Sequence, residues 1–133
     1  MYHALPARDF LDLSYRDDMC FIINRILRPL APTEAQEAYA LMLDAANSHG
    51  CQHWLIDLRR DTTFQPDLLT TFFPQPGDQS GKVTYLAYLV SPMLLAELEN
   101  QDELPLPVHY DDLPFRVRLF VDELAAQEWL SAN

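Results

Sequence analysis

The sequence predicts an α/β fold, with a central mixed sheet of about five strands, an N-terminal hairpin and about four helices. Short apolar runs alternate with segments whose apolar residues recur at helical spacing, which is typical of α/β domains. The first two strand patterns are joined by a short polar connection, and each later strand pattern neighbours a helix pattern. The predicted order is β β α β α β α β α, and 133 residues suit one domain spanning residues 1–133.

Charge and composition exclude several classes of function. Twenty acids against nine bases give a net charge of −11, so we expect no nucleic-acid partner and no adhesion to anionic membranes. The three glycines are too few for a glycine-rich phosphate loop. No apolar stretch reaches the ~18 residues of a membrane span and no signal peptide is visible, so we expect no membrane insertion and a cytoplasmic location. The simplest interpretation of the negative charge is solubility.

The cysteines and histidines do not predict a metal site. Cys20 opens an apolar strand pattern and Cys51 precedes another, so we expect small core residues there. They lack zinc-like spacing. His49 and His53 are four apart, a spacing that binds zinc on a helix, but Gly50 separates them. We therefore predict no metal and no cofactor.

The hairpin is predicted from the first apolar residues of the chain. Residues 10–15 alternate between apolar and polar side chains, as in a strand with one exposed face. Residues 16–18 are polar and form the turn, and residues 19–27 form the second strand. The short connection favours an antiparallel pair.

The best-marked helix spans residues 33–50. Thr33 can accept a hydrogen bond from the N–H of Gln36, and Gln36 can reach back, as in a capping box. Gly50 is a natural C-terminal stop. One buried stripe at helical spacing is expected: Ala35, Ala38, Tyr39, Met42, Ala45, Ala46 and His49.

A central strand is predicted at residues 54–58, where a short apolar run follows the helix and ends in charge. The short link from the helix favours a parallel arrangement. Pro66 can start a further helix through residue 73, and residues 74–81 have the composition of a loop. Residues 83–90 are almost continuously apolar and indicate another central strand.

The last third of the chain contains two predicted helices and one strand. Ser91 as cap and Pro92 in the first turn predict a helix that runs to about residue 100. The segment at residues 97–112 is a long acidic connector without lysine or arginine. Residues 115–121 alternate and carry two arginines on one face, which indicates a strand near an edge, and Asp122 caps the last helix.

The whole chain resembles the STAS domain, the fold of bacterial anti-sigma-factor antagonists, and its SpoIIAA-like variants. The resemblance rests on the hairpin at residues 10–27, the helix at 33–50 and the strand Trp54-Leu55-Ile56-Asp57-Leu58. The step Leu86-Ala87-Tyr88-Leu89-Val90-Ser91-Pro92 and the ending at residues 115–125 are also similar to this family. It implies a regulatory domain that recognises a protein.

The loop after the central strand departs from the pattern of the antagonists. In those proteins an Asp-Ser motif follows this strand, and the serine is phosphorylated. Residues 59–67 contain no serine here, and Thr62 and Thr63 match that position only by loose analogy. Other SpoIIAA-like proteins lack the serine and are suspected of binding small apolar or lipid-like ligands, which gives a second expectation for this chain.

The predicted site lies at the carboxyl ends of the strands, where parallel α/β sheets usually bind their ligands. Arginine beside a helix N-terminus suits a carboxylate or phosphate. The alternative is that Arg59 and Arg60 pair with Asp57 and Asp61 and bind nothing. The candidate residues are Asp57, Arg59, Arg60, Asp61, Thr62, Thr63 and Ser91.

A response-regulator receiver is a rival interpretation. The acidic pair Asp17-Asp18, Asp57 and Ser91 match parts of its site. A helix should follow the acidic pair, whereas residues 19–27 have a strand pattern, and the lysine after the fifth strand is absent.

We predict a non-catalytic regulatory or binding module that recognises a protein partner or a small ligand at the loop after the central strand. A homodimer is a further possibility, because exposed strand edges invite pairing. The alternatives are a protein that binds a small or lipid-like ligand, and an enzyme. An enzyme would need Asp57 or Asp61 with a raised pKa in a pocket.

Overall fold

A computed structural model describes residues 2–4, 8–60, 83–99 and 115–133, which contain a six-stranded mixed sheet and three helices. The elements are β1 Tyr2–Ala4, β2 Leu11–Arg16, β3 Phe21–Ile26, α1 Pro32–His49, β4 His53–Asp57, β5 Thr84–Leu89, α2 Pro92–Glu99, β6 Phe115–Phe120 and α3 Glu123–Ala132. The predicted α/β class with an N-terminal hairpin is confirmed. The predicted helix from Pro66, the loop at 74–81 and the connector beyond Glu99 lie outside the described residues.

The strands lie in the sheet in the order in which they occur in the chain. β1, β2 and β3 pair antiparallel, and β3, β4, β5 and β6 pair parallel. β4 therefore lies between two parallel neighbours, which confirms the predicted central strand. The short strand β1 was not predicted, because its three residues are too few to show an alternating pattern.

Helices cover both faces of the sheet, and each face has its own apolar cluster. Trp54, Ile56 and Tyr88 belong to the cluster under α1 and α2, which we call the α1 face. Leu55 and Ala87 belong to the cluster under α3, which we call the α3 face. Alternate residues of β4 and β5 thus enter opposite clusters, which is why these strands are apolar almost without interruption.

The cap of helix α1 lies two residues earlier than the sequence predicted. Its cap residue is Ala31, and Pro32 occupies the first turn, where the fixed φ of proline suits a helix and its missing N–H costs nothing. The predicted box of Thr33 and Gln36 is therefore wrong, because the backbone N–H of Ala31 donates to Glu34 Oε1 at 3.0 Å. Hydrogen bonds from Arg28 and then from Ala31 lower the pKa of Glu34 to about 2.

The rest of α1 follows the prediction closely. Four of the seven predicted stripe residues are fully buried: Ala35, Ala38, Met42 and Ala46. His49 was expected in the stripe but is exposed, and its ring stacks on Tyr15 at 4.3 Å between centroids. Gly50 ends the helix at φ 64°, a left-handed conformation that glycine adopts without steric cost.

Among the helices of the described residues, none is long and apolar enough to cross a membrane.

Candidate functional site

The carboxyl ends of β3, β4, β5 and β6 lie side by side at one end of the sheet, which we call the carboxyl rim. Helices α1, α2 and α3 each begin shortly after a strand ends at this rim. Backbone pairing continues one residue past the strands: Leu58 N donates to Leu89 O, and Val90 N donates to Phe120 O, both at 2.8 Å. Of the predicted site residues that the structure describes, Asp57, Arg59 and Ser91 lie at this rim.

Asp57 is the best-buried charged residue of the rim, with 4% of its surface exposed. Its Oδ1 accepts from the backbone N–H and from Nε of Arg59, both at 3.1 Å. Its Oδ2 accepts from Arg59 Nη2 at 3.0 Å and from Arg25 Nη1 at 2.8 Å. The carboxylate therefore has four donors from two arginines, which compensates for its loss of water.

Glu123, in the first turn of α3, completes this arrangement. Arg25 Nη1 donates to Glu123 Oε1 at 2.6 Å, and Arg59 Nη2 lies 3.6 Å from the same oxygen. We call Arg25, Asp57, Arg59 and Glu123 the rim ion cluster. It contains two cations and two anions, so it is neutral as a group and connects β3, β4 and α3.

The electrostatics of the cluster stabilise its charged form. Burial alone would raise the pKa of Asp57, but hydrogen bonds from Arg59, followed by its charge and by Arg25, hold that pKa below its usual range. The hydrogen bond to Glu123 raises the pKa of Arg25, and the hydrogen bond to Asp57 raises the pKa of Arg59. Asp57 is therefore ionised at neutral pH, whereas a general acid or base works best with a pKa near the operating pH.

The sequence identified half of this cluster. The pairing of Arg59 with Asp57 is the alternative to anion binding that the sequence left open. Arg25 and Glu123 were missed as site residues. The sequence placed Arg25 near the end of the second predicted strand, which is β3 in the structure. Arg25 lies there opposite Asp57 in the parallel register of β3 and β4.

The other predicted site residues are distributed differently. Arg60 is exposed and forms no ion pair with any residue that the structure describes. Ser91 caps α2, because its Oγ accepts from the N–H of Leu94 at 3.1 Å. Asp61, Thr62 and Thr63 lie outside the described residues.

Exposed apolar side chains are concentrated at the same rim. Among the described residues, the large hydrophobic side chains that are exposed are Met93 (75%), Leu124 (64%) and Val121 (44%). Met93 lies in the first turn of α2, Val121 directly follows β6, and Leu124 lies in the first turn of α3. These residues were not predicted as site residues, because apolar residues in strand patterns and amphipathic helices are usually assigned to the core.

A groove runs from the rim along one side of α3. It has a volume of about 460 Å³, and Leu124 borders it at the rim. Met19 and Arg16 line it from the hairpin, and Gln127 and Ser131 line it from α3. Arg16 Nη1 donates to Gln127 Oε1 at 2.9 Å, so this hydrogen bond joins the two walls.

Two alternative sites that the sequence analysis weighed are not formed by the described residues. Asp17 and Asp18 lie in the turn that precedes β3, whereas Asp57 lies at the end of β4. Because β3 and β4 are parallel, the acidic pair and Asp57 lie at opposite ends of these strands. A receiver site needs them together. His49 contacts Tyr15, whereas His53 stacks on Tyr85 on the α3 face, and no described group of three ligands could hold a metal ion.

Comparisons of the chain with protein-family models, with curated proteins and with solved structures gave no match.

Proposed function

We propose that this protein is a binding module that recognises a protein partner through its carboxyl rim. The observation that carries the proposal is the position of Met93, Val121 and Leu124. These are the large exposed apolar side chains of the described residues, and all three lie at the carboxyl rim. Exposed apolar surface is a common feature of interaction sites. A helix N-terminus or a strand end holds each of them, so the surface is formed before the partner arrives.

The rim ion cluster supports this role by fixing the backbone beneath the apolar side chains. Arg25 and Arg59 both contact Glu123, which directly precedes Leu124 in the first turn of α3. Ser91 caps the helix that presents Met93. A rigid surface loses less conformational entropy on binding, which favours affinity.

The charge of the chain indicates the kind of partner. With a net charge of −11, the protein attracts basic surfaces at long range and accelerates their association. The proposed partner is therefore a protein that offers apolar side chains flanked by basic residues.

The geometry lends less support to the alternatives. Arg59 already forms three hydrogen bonds with Asp57, so it is poorly placed to take a small carboxylate or phosphate. The lowered pKa of Asp57 is the opposite of what a general base or acid requires. Nothing in the described residues favours a lipid-like ligand over a protein.

A relationship to the STAS and SpoIIAA-like domains remains part of the proposal. It is supported by the opening hairpin, the parallel strands in sequential order and the helix that starts at Ser91 and Pro92. The rim is also where the antagonists of that family, as the resemblance implies, carry their regulated serine.

The test compares two doubly substituted proteins that carry the same added charge. Met93→Glu with Leu124→Glu places two carboxylates on the rim, and Ala40→Glu with Asn47→Glu places them on exposed positions of α1. Proteins bound by the wild type are recovered from cells of the source organism, and each candidate is then purified and titrated by calorimetry. We expect the rim variant to bind at least 10-fold more weakly than the wild type and the α1 variant to bind as the wild type does.

Two results would contradict the proposal. One is a purified partner that binds the rim variant and the wild type equally. The other is a wild-type homodimer in sedimentation equilibrium that becomes monomeric in the rim variant, since the rim would then hold a second copy.

A further inference from the structure

The two cysteines of the chain lie next to each other at the amino ends of β3 and β4, opposite the carboxyl rim. Cys20 ends the turn between β2 and β3, and Cys51 lies between α1 and β4, 31 positions later. Their sulfur atoms are 3.2 Å apart, and both thiols are reduced. Because β3 and β4 are adjacent and parallel, the residues that enter them are held side by side.

We propose that Cys20 and Cys51 are a redox-active pair that closes reversibly to an intramolecular disulfide. The sulfur atoms of a disulfide are ~2.05 Å apart, so closure requires an approach of about 1 Å. A displacement of that size is within reach of side-chain rotation and small changes in a turn. The bond would join the hairpin turn directly to the end of α1.

The backbone of Cys20 gives an independent reason to assign the thiol a role. Its φ is 55°, and it is the one non-glycine residue with a positive φ among those the structure describes. Glycine or asparagine would occupy this conformation at lower cost. Strained backbone at a chemically reactive residue is a common feature of functional sites, and here it places the Cys20 sulfur against Cys51.

The two thiols differ in access, and this difference sets the order of events. Cys20 is half-buried, whereas 1% of Cys51 is exposed. An oxidant in solution therefore reaches Cys20 first. Burial, together with the hydrogen bond and charge of Cys20, raises the pKa of Cys51 to about 12, so Cys51 is a poor first nucleophile.

The oxidant we propose is a low-molecular-weight disulfide such as glutathione disulfide. The Cys20 thiolate attacks one of its sulfur atoms, forms a mixed disulfide and releases one glutathione thiolate, which takes up a proton. The Cys51 thiolate then attacks the Cys20 sulfur and releases the second glutathione. Two electrons and two protons pass from the protein to the oxidant. Once Cys20 carries the mixed disulfide, its charge no longer opposes ionisation of Cys51.

Closure of the pair should stabilise the fold, because the bond restricts the unfolded chain between residues 20 and 51. It also restrains the turn that carries Met19, which lines the groove beside α3. The redox state of the pair and the shape of that groove are thus connected through a single turn.

The experiment uses the purified full chain. The protein is incubated with glutathione disulfide, denatured in the presence of N-ethylmaleimide and weighed as an intact chain. We expect a monomer that has lost two hydrogen atoms and carries no maleimide, and that regains two reactive thiols after treatment with dithiothreitol. We also expect the oxidised protein to melt about 5–10 °C higher than the reduced protein.

The Cys20→Ser variant is the matched control, since its one remaining thiol cannot form the internal bond and its melting temperature should not respond to glutathione disulfide. The wild-type mass decides the matter even if a serine variant folds poorly. Three results would overturn the proposal: two maleimide groups on the treated wild type, a stable glutathione adduct without closure, or a disulfide-linked dimer on a non-reducing gel.

Discussion

The charged carboxylate of Asp57 is buried, and it is stabilised by the two arginines that surround it. Removing one partner of a buried ion pair usually costs more than the pair contributes, because the remaining charges lose compensation. In this protein Glu123 still contacts both arginines, which limits the loss.

We expect Asp57→Asn to lower the free energy of unfolding by about 2–3 kcal/mol. The asparagine keeps the shape of the side chain but leaves Arg25 and Arg59 with one anion instead of two. Urea denaturation followed by circular dichroism measures the change. Asp44→Asn on the exposed side of α1 is the control and should change stability by less than about 0.5 kcal/mol. Equal stability of both variants would mean that the cluster is energetically neutral.

Acid should destabilise the fold through His53. Burial lowers the pKa of His53, although a hydrogen bond with the backbone of Asn133 acts in the opposite direction. The unfolded chain then binds the proton more readily, so stability falls as the pH drops below about 6.5. The side chain stacks on Tyr85 at 5.2 Å between ring centroids. Its Nε2 is buried, and none of the described residues forms a hydrogen bond with it.

The variant His53→Phe tests this dependence. We expect the urea midpoint of the wild type to decrease between pH 7.5 and pH 5.5, and that of His53→Phe to decrease less. The difference between the urea midpoints of the two proteins at pH 8 gives the effect of the substitution that does not depend on protonation. Parallel curves across this range would show that His53 does not contribute.

At the scale of the element, the start of α1 shows that a helix can begin at a residue that is not a good cap. The side chain of Ala31 has no acceptor for the free N–H groups of the first turn. The Glu34 carboxylate does accept a hydrogen bond from the backbone N–H of Ala31. Ala31→Ser would supply that acceptor and complete the capping box. We expect this substitution to raise the free energy of unfolding by about 0.5–1 kcal/mol, measured by thermal or urea denaturation.

Thr33→Ala distinguishes this structure from the interpretation that the sequence favoured. If Thr33 were the cap, its removal would cost about 1 kcal/mol. Because the helix begins at Pro32, we expect a change of less than about 0.5 kcal/mol.

Helix α3 contributes to stability through one side and to recognition through the other. Leu130 is fully buried against the α3 face, whereas Leu124 is exposed at the rim. We expect Leu130→Ala to lower the free energy of unfolding by about 2–4 kcal/mol through lost burial and a cavity. Leu124→Ala in the same helix should change it by less than about 0.5 kcal/mol, which separates a folding role from a binding role.

At the scale of the whole molecule, burial increases from β2 toward the centre of the sheet. Both faces of β4 and β5 are covered, and their amides pair with strands on both sides. The amides of Leu55, Ile56 and Ala87 should therefore exchange with solvent only through global unfolding. Among the described strands, Tyr2–Ala4 should exchange fastest. Hydrogen exchange followed by NMR tests this order, and faster exchange in β4 than in α3 would contradict it.

Much of this fold could be predicted because it is specified by local sequence. The period of apolar residues indicated β2 to β6, and the caps at Ser91 and Asp122 and the stop at Gly50 all lie where the sequence placed them. Each of these signals depends on residues a few positions apart. The start of α1 was the exception, because Thr33 and Pro32 both suit a helix start and only the structure shows which one begins it.

The site could be predicted only in part. The sequence by itself determined the α/β class, the central strand and the position of Asp57 and Arg59 at its end. Only the tertiary structure decided that Arg25 and Glu123 complete the cluster, that the exposed apolar side chains share its rim, and that Cys20 lies against Cys51. These contacts join residues from tens of positions to almost a hundred apart. They depend on which strands are neighbours and in what register, and no local pattern carries that information.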